Sequence, residues 1–198
     1  MNLNLAKVLK FTTFLNKFRD IERSILIKNS NRKENDAEHS YQLAMLAWYI
    51  NEVGKLNHNP HKILRYALIH DLVEIYAGDT DVFSKNPAEH ETKEDRELKA
   101  LKTIEKEFLE FPELSESIKT YNQKIDSESK FVYVLDKLIP VLNLYLEGGN
   151  VWKTQKISLE MLLENKTSKI KMDPDLNKIF EDLVIILKDN EAELFGKA

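Results

Sequence analysis

Cysteine is absent from this chain. That excludes disulfides, thiolate nucleophiles and sulfur-ligated metals, and leaves His, Asp and Glu as the side chains able to hold an ion. Glycine and proline are scarce, five of each in 198 residues, so turn signals are few and long uninterrupted helices are expected. Long apolar runs are missing as well. The longest, residues 43–50, has 8 residues, against the ~20 that cross a bilayer. Residues 1–10 interrupt their leucines with Asn and Lys, unlike the apolar core of a secretory signal. A cytoplasmic chain without membrane contact is the expectation. Nor is there an excess of positive charge: the net charge is −4, which gives no support to duplex nucleic acid as a partner. A small basic pocket for a phosphate is compatible with that figure.

Hydrophobic residues make up 42% and charged ones 31%, as in ordinary globular proteins, and the length suits a single domain over residues 1–198. Apolar residues recur at helical spacing, and no segment sustains the alternation of a strand. Leu5, Val8, Leu9, Phe11, Phe14 and Leu15 predict a first helix. Asp36 serves as N-cap of a second, which carries Leu43, Ala44, Ala47 and Ile50 to Gly54. Asn59-Pro60 opens a third, ending near residue 71, and Ala77-Gly78-Asp79 reads as a turn. A charged helix between residues 87 and 111 and a shorter one over 113–121 follow. Next comes an apolar helix led by Ser127 and irregular at Pro140, then helices over roughly 152–164 and 175–194. Trp48-Tyr49, Phe131 and Tyr133 are expected in the core, with an aromatic near a pocket able to stack on a base.

What the chain does have is His70-Asp71, closing an apolar-patterned stretch. His39 precedes it in Ala37-Glu38-His39-Ser40, and Asp136 follows in Leu135-Asp136-Lys137. Two imidazoles and two carboxylates offer mixed nitrogen and oxygen donors to one divalent cation. Such donors suit Mn, Co, Fe, Ni or Zn, and carboxylates with water also admit Mg. Adjacent residues on a regular helix point about 100° apart, so His70 and Asp71 converge on one ion only at a helix end or a distortion. Glu74 lies four residues after His70 and three after Asp71, on the same helix face. It is the candidate for proton transfer or for holding an attacking water; Asp79 is a second carboxylate beyond the turn. Arg23, Arg32 and Lys137 are the candidate cations for phosphate. His58, His61 and His90 have no partners at ligand spacing, and the charged run 89–106 reads as a solvated face.

The order His, His-Asp, Asp in helical contexts resembles that of the HD-domain metal-dependent phosphohydrolases. More narrowly, Arg32-Lys33-Glu34-Asn35-Asp36-Ala37-Glu38-His39-Ser40 and Ile69-His70-Asp71-Leu72-Val73-Glu74-Ile75-Tyr76-Ala77-Gly78-Asp79-Thr80 are similar to the 5′-deoxynucleotidase branch, the likeness spanning roughly residues 5–165. The resemblance implies an all-α HD-domain bundle of about seven to nine helices, dimeric in many members. It implies removal of phosphate from 2′-deoxynucleoside 5′-monophosphates with a divalent metal. His39, His70, Asp71 and Asp136 would then be ligands of one ion, Glu74 and Asp79 the carboxylates of proton transfer and water placement, and Arg23 a contact to phosphate and sugar. The helices after the core would complete the bundle or an oligomer contact. One departure bears on the substrate: the branch has Trp directly after that arginine, and Ser24 stands here. A smaller residue admits a 2′-hydroxyl, so the expected substrate is a nucleoside 5′-monophosphate without a fixed sugar preference. Competing readings are an HD-type phosphodiesterase, another phosphoester hydrolase, or a non-catalytic metal or nucleotide sensor. Ile75 after Glu74 disfavours guanosine tetraphosphate hydrolysis, which the related enzymes mark with an acidic residue there.

Overall fold

Short polar side chains decide where the helices begin. In a computed structural model, which describes residues 3–27, 32–78 and 93–196, Asn4, Asn35, Asn59, Asp126, Ser158 and Asp173 each cap a helix by accepting a backbone N–H. Pro60, Pro112 and Pro174 occupy first turns, where a missing N–H costs nothing. The elements in order are α1 (Leu5–Arg19), β1 (Glu22–Leu26), β2 (Lys33–Asn35), α2 (Asp36–Gly54), α3 (Pro60–Ile69), α4 (Glu74–Ala77), α5 (Lys93–Glu107) and α6 (Pro112–Gln123). Then come α7 (Ser127–Leu146), α8 (Asn150–Gln155), α9 (Leu159–Ile170), α10 (Pro174–Asp189) and α11 (Glu191–Leu194). The all-α expectation holds. No helix among the described residues is long and apolar enough to cross a membrane.

Four sequence expectations need correction. Residues 22–26 and 33–35 form an antiparallel hairpin, pairing Glu22 with Asn35 and Leu26 with Lys33 across an irregularity. Its strands are too short and too charged to show an alternating face; backbone bonds and the ion pairs of Arg23 hold it. The N-cap of α2 is Asn35, not Asp36. Asn35 is extended and forms a reciprocal capping box with Glu38, whose carboxylate accepts the Asn35 N–H at 3.1 Å. Each of the last two expected helices divides in two, at Lys156 and at Asn190. Trp48 and Tyr49 are exposed rather than packed, because the buried stripe of α2 runs through Ser40, Leu43, Ala44, Ala47 and Asn51. Aromatic character does not decide which face of a helix turns inward.

The core centres on α7, whose Phe131, Val132, Val134, Leu135, Leu138, Ile139 and Val141 are buried on nearly every side. Helices α2, α3, α6, α8, α9 and α10 surround it, and it runs through Pro140 without ending. Helices α2 and α3 pack closely, and both carry small buried residues, Ala44 and Ala47 on α2 and Ala67 on α3. Gly149 has φ of +71°, and a Cβ there would lie 2.1 Å from the Leu194 carbonyl oxygen of α11. Gly149→Ala is therefore expected to cost at least the roughly 1–2 kcal/mol of a left-handed L-residue, read as a lowered melting temperature. An unchanged melting curve would mean that the contact yields freely.

Candidate metal centre and adjoining cavity

Three helices bring four donors to one point. His39 comes from the first turns of α2, His70 is the C-cap of α3, Asp71 follows it, and Asp136 lies midway along α7. Each offers a ligand atom, and these atoms all lie within 4.8 Å of one another. His39 Nε2 is 3.0 Å from Asp136 Oδ1, and His70 Nε2 is 2.8 Å from Asp71 Oδ2 and 3.8 Å from Asp136 Oδ1. Both imidazoles are buried. After Ile69 the chain tightens into i to i+3 hydrogen bonds, from Leu72 N to Ile69 O and from Glu74 N to Asp71 O. That is the local distortion the adjacent pair requires.

The hydrogen bonds test whether a cation fits. His70 Nδ1 is 2.9 Å from the Ala67 carbonyl oxygen, which can only accept, so Nδ1 carries the proton and donates. In the neutral ring Nε2 then presents a lone pair, and it is an orphaned buried atom facing two carboxylate oxygens. Lone pairs from a nitrogen and two acids are stable at such distances only around a proton or a cation. Burial opposes charge on His70, but Asp71 and Asp136 outweigh it and raise its pKa. Burial likewise opposes ionisation of Asp71, and His70 outweighs it, holding that carboxyl below its ordinary range. A donor set of two nitrogens and two oxygens fits a divalent ion.

Arg23, expected at a phosphate, has three acidic partners here: Glu34 at 3.4 Å, Asp36 at 3.2 Å and Asp71 at 3.1 Å. It ties the hairpin to a donor. Arg32 is not brought to the centre; it binds Glu38 in a fork at 2.9 and 2.7 Å on the surface. Lys137 is at the centre, with Nζ 2.6 Å from Asp136 Oδ2. Burial disfavours its charge, but Asp136 more than compensates and raises its pKa. Glu74 is buried, and its carboxylate meets those of Asp36 and Asp71. Asp79, His90 and the side chain of Ser24 lie outside what the structure describes. His58 packs against Phe131, and His61 lines a different cavity.

His70, Asp71, Asp136 and Lys137 border a cavity of about 380 Å³. Tyr121 and Tyr133 contribute aromatic walls, and Lys93, Lys124, Lys166 and Lys169 add cations that sequence reasoning missed. For Lys166 a signal existed. Leu159, Leu162, Lys166 and Ile170 form the buried stripe of α9, so a lysine stands at a core position of an amphipathic pattern. Glu34 was also missed; its Oε2 sits 3.7 Å from His39 Nδ1, and burial, opposed by Arg23, raises its pKa.

A family model described as HD domain matches residues 15–177. The human 5′-deoxynucleotidase HDDC2 is 30% identical over 138 residues, covering 68% of this chain and 65% of that protein. This chain thus matches just under two thirds of that relative's length. A 5′-deoxynucleotidase of Erwinia tasmaniensis is 28% identical over 169 residues, covering 80% of this chain and 85% of its own. Among solved structures, a protein of Magnetospirillum magnetotacticum described as a predicted metal-dependent phosphohydrolase superposes with a TM-score of 0.80 at 26% identity. That superposition covers 96% of this chain and 95% of the other.

Proposed function

Since this chain belongs to the HD domain family, we propose that it is a metal-dependent phosphohydrolase releasing phosphate from nucleoside 5′-monophosphates, of ribose or deoxyribose. The observation that carries this reading is the four-donor cluster, of which His70, Asp71 and Asp136 line a cavity of about 380 Å³, within the roughly 300–1,000 Å³ of small-molecule sites. The names of the human and bacterial relatives support the choice of substrate. An apolar strip on α2, exposing Tyr41, Met45, Trp48, Tyr49 and Val53, supports the proposal of a homodimer, and the charge and run lengths support a cytoplasmic one.

Held by His39, His70, Asp71 and Asp136, one divalent ion would supply Lewis acidity toward phosphoryl oxygens and lower the pKa of a water at the centre. Glu74, buried among the neighbouring carboxylates, accepts the proton of the attacking water. Asp79 shares the proton transfers, including the one that neutralises the departing sugar oxygen. Lys137 offers its ammonium to the phosphate while it steadies Asp136. Arg23 is a positioning residue in this scheme, fixing Asp71 through Nη1, which it also turns toward Asp36. Water attacks phosphorus, the ester P–O bond breaks, and alcohol and inorganic phosphate leave.

The test is phosphate release by metal-stripped protein reloaded separately with Mn, Co, Mg and Zn, on paired ribo- and deoxyribonucleoside monophosphates. Metal-dependent release is expected; none from any monophosphate, with the ion still bound, would sink the reading. Glu74→Gln should retain the ion and lose about 10²–10⁴-fold in rate, the usual worth of general acid–base catalysis. Turnover at the wild-type rate would remove Glu74 from the proton path.

A further inference from the structure

The cationic side of the cavity holds more positive charge than one phosphate needs. Asp71 and Asp136 match a divalent ion charge for charge, which leaves Lys137, 2.6 Å from Asp136 Oδ2, for the scissile phosphate. On the α5 wall, Lys93 lies 3.4 Å from Glu97 and 3.8 Å from Glu74, with Glu94 beside it on the lining. Lys124, Lys166 and Lys169 remain, from the end of α6 and from α9, and none of them forms an ion pair among the described residues. Lys124 Nζ donates to the Asn122 carbonyl oxygen at 3.1 Å and sits 4.8 Å over the Tyr133 ring. Lys169 Nζ donates to Asn165 Oδ1 at 3.3 Å. Lys166 is only 6% exposed, and among the described residues none forms a hydrogen bond or an ion pair with it.

An ammonium at a largely buried position is costly unless something on its open side compensates it, and the open side of Lys166 is this cavity. Lys169 lies near Lys166 on α9, and Lys124 lines the same cavity from the end of α6. Burial, and then repulsion from Lys137, lowers the pKa of all three. Self-repelling cations facing solvent-filled space are relieved by an anion, and a phosphate monoester brings about −1.5 to −2 charges with three acceptor oxygens.

We infer that Lys124, Lys166 and Lys169 form a second anion subsite, and that the preferred substrate carries a second phosphate beside the one removed. This rests on the phosphohydrolase reading for the scissile group; the chemistry there is unchanged, and the second phosphate serves only to bind. The substrate class is a bisphosphorylated nucleoside or a small molecule of similar charge.

Binding to the full chain, measured by calorimetry after metal removal and again with Mn present, tests it without relying on turnover. Adenosine 5′-monophosphate is compared with adenosine 3′,5′-bisphosphate and adenosine diphosphate. At least one doubly phosphorylated probe should bind about 10-fold or more tightly than the monophosphate, the worth of one charge-assisted hydrogen bond. In Lys166→Gln/Lys169→Gln that ratio should fall to near one; the single Lys169→Gln variant, altered only at a half-buried site, should reduce it in part. A ratio near one in the wild type overturns the inference, and so does a ratio that survives the double substitution. Release of phosphate from the monophosphate with a ratio near one would leave the enzyme standing without the subsite. A high ratio with no phosphate released from any probe would leave the subsite standing without the enzyme.

Discussion

His70→Ala and Asp71→Ala proteins are expected to lose the divalent ion and phosphate release together. Partners outside the ligand sphere typically cost about 10- to 100-fold in affinity or activity when removed; loss of a ligand should exceed that range. His70 is held by the Ala67 carbonyl oxygen with its Nε2 toward Asp71 and Asp136, so the alanine leaves two acids facing each other with no nitrogen donor from α3. Asp71→Ala additionally strips Arg23 of one of its three acidic partners. Arg23→Met, by contrast, should fall within the 10- to 100-fold range while keeping measurable metal. Metal content by elemental analysis, beside phosphate release, checks all three. An Asp71→Ala protein with wild-type metal content would remove that residue from the ligand set. Chelation should abolish turnover while circular dichroism keeps its helical signature; unfolding would instead give the ion a structural part.

Lys166→Met should make the protein more stable at neutral pH. Burial, then Lys137 and Lys169, with Arg23 adding to them and Asp136 opposing, pushes the Lys166 ammonium down to about 8 from the ordinary 10.5. The folded state therefore binds fewer protons than the unfolded chain between those values, and stability rises with pH across that window. Below about 8 the penalty is fully present, on the order of 3 kcal/mol at about 1.4 kcal/mol for each unit. It fades as pH climbs toward 10.5. The variant should melt roughly 6–12 °C higher at pH 7, taking about 2–4 °C per kcal/mol for a chain of this size, with a smaller gain at pH 9.5. Equal gains at both pH values would show that packing, not charge, is responsible. No gain at either would mean that the ammonium finds relief within the folded protein.

Helices were legible where their punctuation is local, as at Asn59-Pro60; Ser158, which caps α9, was passed over because the apolar spacing on either side of it reads as one continuous helix. The donors were legible because His70 and Asp71 are adjacent and Glu74 follows one turn later. What brings His39 and Asp136 to them is the packing of α2 and α7 against α3, which spacing alone does not encode. The hairpin was missed because its strands carry no apolar rhythm, and Trp48 was misplaced because a large ring suits a core or an exposed strip equally. The lysine wall was invisible for another reason. Lys124 and Lys166 are 42 positions apart, and they share a cavity only once α9 lies along α7.

Arg23 gives the small hairpin an importance beyond its size. One guanidinium joins Glu34 on the second strand, Asp36 at the head of α2 and Asp71 at the centre. Opening of the strands and capture of an ion are therefore linked by a single free-energy cycle. An ion that fixes Asp71 holds the strands closed, and by reciprocity anything that clamps the strands tightens the hold on the ion. With Asp71 as a ligand, the hairpin would be a lever on the ion.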